Sequence, residues 1–333
     1  MADPAARLLD EAVRHRIALS RYSTATVRKV LAQLNRTDAE LVQRILRADN
    51  EGRDPRQLER VLDEVRALQA DGWSVLRSRL TDDLSDLAAA ERDFAARMVR
   101  FGQRSVGASA AAGAPTSAQV VAAVNARPFN GRFLRDWLAE AEAGAAKRVR
   151  ETLRQGFVEG RSVADLVRDI RGTRALQYRD GVLEISRRGA EAMVRTAITH
   201  TAAVSSRVTY EAMGVAKATF VAVLDGRTTL TCAGLNGKTF PLDRFPYPPR
   251  HVNCRSTMVP EIEGLDPVPV RDYGAWLRSQ PASVQDDILG RTRGKLFREG
   301  GLEVDRFTDS KGKVLTLEQL RRRDSGAFED IAP

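Results

Sequence analysis

Cysteine is scarce in this chain, which has only Cys232 and Cys254 among its 333 residues. The disulfide frameworks of small secreted domains need more cysteines than this, so such a framework is excluded. We expect a cytosolic compartment, where thiols stay reduced. The opening segment MADPAARLLDEAVRHR is charged throughout and lacks the apolar stretch of a signal peptide.

Long hydrophobic runs are also missing. No stretch of about 18 apolar residues occurs, so we expect no membrane-spanning helix and no membrane partner. Aromatic residues make up only 6% of the chain, and its cores must therefore be built mainly from Leu, Val, Ile and Ala, a composition that favours helices. Because 43% of the residues are hydrophobic and 29% are charged, we expect most of the chain to fold. Its length of 333 residues allows two or three domains.

Positive charge is in excess, with 53 Lys and Arg residues against 44 Asp and Glu and a net charge of +9. Nearly all the cations are Arg, whose guanidinium binds phosphate through two N–H groups, although a GC-rich genome produces the same bias. The excess permits non-specific binding to double-stranded DNA. The candidate DNA-contacting residues are Arg291, Arg293, Lys295, Arg321, Arg322 and Arg323. Solvated helix faces are the alternative explanation of such runs.

The first third of the chain has apolar residues at helical spacing. Thr37 and Glu40 have the spacing of a capping box, and Asp54-Pro55 predicts the start of another helix. The leucines from Leu76 onward predict a long helix or a short coiled coil. Residues 1–105 are therefore predicted to form a helical bundle or arm that buries its own apolar stripes. The alternative is an oligomerisation or docking surface.

Small uncharged residues fill 106–118 and predict a linker, after which the pattern becomes mixed. The predicted elements are helices over 131–156, 162–170 with Ser162 as N-cap, 187–213 and 281–297, a buried strand over 218–224, a hairpin over 303–315 turning at 310–312, and a short helix after Thr316. The fold class is therefore predominantly helical α+β. We predict a central mixed α+β domain over 119–264 and a C-terminal extension with a small helix and hairpin over 265–333.

Unusual residues are densest between Leu224 and Met258. His251 and Cys254 are three positions apart and, together with Cys232, supply three soft ligands of the kind zinc prefers. A structural zinc needs four ligands, so Asp225, His200 or water would have to complete the set. Two other interpretations stay open: a close thiol pair that oxidises, or two unrelated buried cysteines. If the two cysteines bind zinc or form a close thiol pair, this region is a structural clasp for the central domain.

Enzymatic alternatives use the same segment. Either cysteine could be a nucleophile activated by His251, or His251, Asn253 and Asp225 could surround a divalent metal in a nuclease. Asp225 is better explained as a turn or cap residue at the end of the predicted strand. We therefore expect no enzymatic activity.

The order of motifs in the central region resembles the phage head morphogenesis, or Mu F-like minor head protein, family. That pattern runs from a helix with an R-T pair through L-D-x-R-T and C-x-x-x-x-G-K to P-P-x-H-x-x-C-R. The matching residues are Arg195, Thr196, Asp225, Arg227, Thr228, Cys232, Gly237, Lys238, Pro249, His251, Cys254 and Arg255. Many members carry further cysteines where this chain has Thr229 and Ser256. The resemblance covers roughly residues 126–320.

The resemblance implies a minor component of the phage virion, present in few copies. It implies incorporation into the prohead during assembly in the host cytoplasm, association with the portal protein and with the prohead interior or scaffold, and contact with DNA during packaging or ejection in some members. It implies no enzyme. Residues 1–105 are the candidate docking arm, and residues 119–264 correspond to the Mu F-like domain.

Overall fold

The computed structural model describes residues 3–48, 55–108, 113–309, 312–329 and 331. Asp54 of the predicted cap, part of the predicted linker, and Ser310 and Lys311 of the predicted hairpin turn lie outside the described residues. The helices in the described ranges are α1 (Pro4–Arg47), α2 (Pro55–Ser105), α3 (Ser117–Asn125), α4 (Leu134–Val158), α5 (Val163–Arg171), α6 (Val182–Ala212), α7 (Leu230–Ala233), α8 (Tyr273–Arg278), α9 (Ala282–Leu289), α10 (Arg291–Arg298), α11 (Leu317–Arg323) and α12 (Ser325–Glu329). The strands are β1 (Lys217–Val221), β2 (Thr239–Pro241) and β3 (Thr257–Glu261). The predicted α+β class with a helical majority is confirmed.

Two very long helices dominate the first third, since α1 has 44 residues and α2 has 51. The capping box predicted at Thr37 is wrong, because the Thr37 hydroxyl lies inside α1 and donates to the Gln33 carbonyl oxygen at 3.3 Å. No glycine or proline occurs between residues 5 and 47, so nothing in the sequence ends the helix there. The stripe beginning at Leu76 belongs to α2.

The chain divides into two compact units, each assembled from separate segments. The first unit contains the described residues of 1–20, 88–124 and 199–333, and the second contains those of 21–87 and 125–198. The domain boundaries expected from the sequence remain a prediction. In the described ranges, no helix has the length and apolar character needed to cross a membrane.

The second unit has one core, built from aliphatic side chains of α1, α2, α4, α5 and α6. Its fully buried members include Leu41, Val149 and Ile170. Ser162 caps α5 as predicted, because its hydroxyl accepts the Asp165 backbone N–H at 3.1 Å. Arg187 and Asp38 form an ion pair at 2.6 Å beside this core, with both side chains less than one-fifth exposed.

The first unit is organised around a three-stranded antiparallel sheet with the order β2-β1-β3. Ala218 of β1 lies opposite Phe240 on one side, and Thr219 lies opposite Val259 on the other. The predicted buried strand is confirmed, although it ends at Val221 rather than at 224. The backbone N–H of Ala222 donates to the side-chain oxygen of Asn236 at 2.9 Å, and this contact replaces the next hydrogen bond of the ladder.

The C-terminal region of the first unit has its own core around Tyr273, Phe297 and Phe307. The single helix predicted over 281–297 is wrong: α9 ends at Leu289 and α10 begins at Arg291, with Gly290 between them at φ 79°. A left-handed residue stops a helix, and glycine adopts that conformation at no steric cost. In the described residues the predicted hairpin is reduced to one bridge between Thr308 and Val314. The short helix after Thr316 is confirmed, with Thr316 and Gln319 forming a capping box.

Candidate functional site

The turn after β1 places Asp225 where the sequence predicted a turn residue. One carboxylate oxygen of Asp225 accepts the backbone N–H of Arg227 at 3.0 Å. The carboxylate also accepts two N–H groups from Arg255, each at 2.6 Å. The hydrogen bonds from Arg255 lower the pKa of Asp225, and the same pairing raises the pKa of Arg255. Asp225 therefore joins the β1 turn to the segment that leads into β3.

Cys232, His251 and Cys254 come together beside the sheet. Cys232 lies in α7, whereas His251 and Cys254 lie in the loop that connects β2 to β3. The two Sγ atoms are 3.8 Å apart, and the Cys232 Sγ lies 3.3 Å from the His251 Nε2. Both cysteines are 1% exposed and belong to the main core of the first unit, while His251 is half-buried. The interpretation of the cysteines as unrelated is wrong, because their sulfurs are in contact.

The two thiols influence each other's ionisation. Because the Cys232 thiol hydrogen-bonds to Cys254, the pKa of Cys254 is lowered, and the same contact raises the pKa of Cys232. The hydrogen bond with Cys254 raises the pKa of His251.

Residues from two helices support the loop at Cys254. The Thr199 hydroxyl of α6 donates to the Cys254 carbonyl oxygen at 2.8 Å, and the Arg16 guanidinium of α1 donates to the same oxygen at 3.5 Å. Burial lowers the pKa of Arg16 to about 10. Sequence inspection missed both residues. Arg16 is 238 positions from Cys254, and no local pattern indicates such a contact.

The proposed fourth zinc ligands do not join the cysteines and the histidine. The Asp225 carboxylate is bound by Arg255, and the His200 Nε2 faces the Val124 carbonyl oxygen at 3.3 Å. Within the described residues, Cys232, His251 and Cys254 form the one group of three or more His, Cys, Asp or Glu side chains with ligand atoms close enough for a common ion. All of these ligand atoms lie within 4.8 Å of one another.

The remaining motif residues serve local structure. Arg195 pairs with Glu191 at 2.9 Å, and the Thr196 hydroxyl donates to the Ala192 carbonyl oxygen at 2.6 Å. The Thr228 hydroxyl donates to the Val223 carbonyl oxygen and so closes the turn at Asp225. Arg227 is largely exposed.

Three further motif features lie on either side of β2, with Gly237 and Lys238 in the turn before it and Pro249 in the loop after it. Gly237 has φ 76° and donates its N–H to the Phe220 carbonyl oxygen at 2.8 Å. Lys238 lies 3.4 Å from Asp305. The peptide bond between Pro248 and Pro249 is cis. Asn236 was missed as a site residue, and it holds this turn by donating to the Arg271 carbonyl oxygen at 2.8 Å.

The candidate DNA-contacting cations differ in their surroundings. Arg293 donates to the Leu315 carbonyl oxygen at 2.9 Å, Arg322 pairs with Glu318, and Arg323 pairs with Asp324 at 2.8 Å. Arg321 stacks over the Phe328 ring at 5.1 Å. Arg291 and Lys295 of α10 are exposed and have no carboxylate partner in the part of the chain that the structure describes. These two residues are the cations most available to an anionic partner.

The fold and the site together define a helical α+β protein with a cysteine–histidine cluster and an arginine–aspartate pair beside its small sheet. The family model described as Phage Mu protein F like protein matches residues 147–259, about a third of the chain. This match includes all the motif residues named above and supports the resemblance of the central segment to Mu F-like proteins. The family points to phage head morphogenesis and to the virion. No curated protein and no solved structure matches the chain.

Proposed function

We propose that the protein is a minor head protein that acts in head morphogenesis, is attached to the portal in few copies, and contacts packaged DNA without sequence preference. The Mu F-like segment over residues 147–259 is the observation that carries this proposal. The role is structural rather than enzymatic. Supporting this, the carboxylate of Asp225, the residue that a nuclease site would use, is bound by Arg255 and is not available to hold a catalytic metal.

The portal contact is assigned to the first helix. Val13 and Ile17 are four residues apart, so they lie on the same face of α1, and they are 42% and 50% exposed. Neighbouring exposed apolar side chains on a helix suit the apolar stripe of a partner helix. This placement agrees with the docking arm expected within residues 1–105.

Pull-down of the portal protein from infected cells, before DNA is packaged, tests this assignment. A Val13→Ser and Ile17→Ser double variant should recover much less portal protein than the unaltered chain does. Val158→Ser is the matched control, because Val158 is 84% exposed on α4 and should leave recovery unchanged. If the double variant recovered as much portal protein as the unaltered chain does, the contact would lie elsewhere in the protein. An abundance equal to that of the major capsid protein in purified particles would overturn the minor-component role.

A metal-dependent nuclease is the alternative function. Incubation of the purified protein with plasmid and Mg²⁺ or Zn²⁺ separates the two proposals. We expect no cleavage. Sustained cleavage that is lost in His251→Ala would establish the enzyme instead.

A further inference from the structure

The Cys232, His251 and Cys254 cluster has the dimensions of a metal site. In a tetrahedral zinc site the metal–sulfur distance is about 2.3 Å and the metal–nitrogen distance about 2.0–2.1 Å. Tetrahedral angles then place two sulfurs about 3.8 Å apart and a sulfur and a nitrogen about 3.5 Å apart. The observed separations are 3.8 Å between the sulfurs and 3.3 Å between the Cys232 Sγ and the His251 Nε2. A disulfide requires about 2.05 Å, so the two sulfurs are not bonded, and their separation fits two ligands of one ion.

The histidine is oriented as a ligand. The His251 Nδ1 lies 2.9 Å from the Val252 carbonyl oxygen, which can only accept, so Nδ1 carries the proton in the neutral ring. The lone pair is then on Nε2, the nitrogen that faces Cys232. Metal-binding histidines are commonly held in this way, because the second hydrogen bond fixes both the tautomer and the ring orientation.

Two arginines lie close to Cys254. The Arg16 guanidinium contacts the Cys254 carbonyl oxygen, and Arg255 follows Cys254 directly in the chain. Arg255 is already neutralised by Asp225. Two thiolates, a neutral imidazole and a divalent cation sum to zero charge, and this limits the cost of burying the ion among apolar side chains.

The hydroxyls of Thr229 and Ser256 complete the surroundings of the sulfurs. Both hydroxyls act to lower the pKa of Cys232, against the larger effects of Cys254 and of burial, which raise it. Thr229 precedes α7 as its N-cap and lies three positions before Cys232. Neither hydroxyl is a ligand that zinc prefers, and three protein ligands leave one coordination position for water.

We propose that Cys232, Cys254 and the His251 Nε2 bind one divalent zinc ion, with water at the fourth position. Binding releases the two thiol protons to solvent. The ion joins α7 to the loop before β3, and in this way it clasps the central domain. The proposal does not depend on the portal or DNA contacts.

The experiment uses the full-length chain, purified under reducing conditions, stripped with a chelator and titrated with Co²⁺ and then Zn²⁺. We expect a thiolate-to-cobalt charge-transfer band and tetrahedral ligand-field bands that saturate at one ion per chain and disappear when Zn²⁺ is added. Cys232→Ser and His251→Gln should lose stoichiometric binding, with folding checked by circular dichroism. His15→Gln is the matched control, since His15 is a partly exposed histidine of the same unit and contacts Glu91 instead. That control should bind one ion.

Thr229→Cys provides a test that does not require a ligand to be removed. The added thiolate would occupy the fourth position, so the charge-transfer intensity should rise in proportion to the change from two thiolates to three. The variant should also retain zinc against a chelator concentration that strips the unaltered chain. Absence of the cobalt band from both the unaltered chain and Thr229→Cys would overturn the proposal. Recovery of the two cysteines as a disulfide from reducing buffer would overturn it too, by making the pair a covalent clasp.

Discussion

Arg255 donates two hydrogen bonds to the carboxylate of Asp225, each at 2.6 Å. The two residues are 30 positions apart, and the pair closes the segment that contains Cys232, His251 and Cys254. Both side chains are about one-third exposed or less. The contact gives Asp225 a structural role in this chain, and within the described residues no carboxylate joins the two cysteines and His251.

Replacing Arg255 with Lys should lower the free energy of unfolding by about 1 kcal/mol, because an ammonium group cannot bridge both carboxylate oxygens. Urea denaturation followed by circular dichroism measures the change. Arg227→Lys is the matched control, since Arg227 is 82% exposed and lies 3.7 Å from the same carboxylate. Equal losses in the two variants would contradict the special role of Arg255.

The buried pair of Asp38 and Arg187 should make stability depend on pH. Burial raises the pKa of Asp38 to about 6 despite the opposing effect of Arg187, whereas an unfolded aspartate titrates near 4. The folded chain therefore binds more protons than the unfolded chain between about pH 4 and 6. This contribution is present at low pH and is lost as the pH rises through about 6.

We expect this contribution to amount to about 1–3 kcal/mol of unfolding free energy. Comparison of the unaltered chain with Asp38→Asn across this range measures it, because asparagine does not titrate. The difference between the two proteins should change between about pH 4 and 6 and level off above about pH 7. A constant difference across this range would show that Asp38 keeps its ordinary pKa.

Two glycines near the start of α6 should respond in opposite directions to alanine. A Cβ at Gly181 would overlap the backbone of Arg171 and Gly172, so Gly181→Ala should cost about 1–3 kcal/mol. A Cβ at Gly189 would meet no atom within 4 Å, and Gly189→Ala should stabilise the chain by about 0.5–1 kcal/mol through helix propensity. Thermal unfolding of both variants provides the comparison. A stabilising Gly181→Ala would mean that the turn before α6 can move.

Binding to duplex DNA should be weak, independent of sequence and strongly dependent on salt. Each neutralised phosphate contributes about −0.9 to the slope of log K against log salt. If Arg291 and Lys295 contact phosphates, Arg291→Ala and Lys295→Ala should each make the slope less negative by about 0.9. Lys29→Ala is the control, because Lys29 pairs with Asp83 at 3.2 Å. Fluorescence anisotropy over a salt series measures the slopes, and unchanged slopes would exclude α10 as the contact.

Helix caps and the strand were predictable because their signals are local. Ser162 and Thr316 satisfy N–H groups three residues ahead, and Gly214 with φ 76° follows the end of α6. The Mu F-like motif was also recognisable, because its residue types and spacings are properties of the linear chain.

Other features could not be predicted from local signals. At Thr37, which is 5% exposed within α1, burial of the side chain in the folded chain outweighed a capping pattern only four residues long. The support of Cys254 by Thr199 and Arg16 depends on helices far away in the chain.

Residue order alone established the helical majority, several of the helices with their caps, and which soft ligands are present. Tertiary packing decided how those ligands are used. It placed the two sulfurs in contact and turned the His251 Nε2 toward them, and it bound the Asp225 carboxylate to Arg255. Helical hydrogen bonds join residues four apart and are readable from sequence. Contacts across 19 or 30 positions form only when the core that brings the segments together is complete.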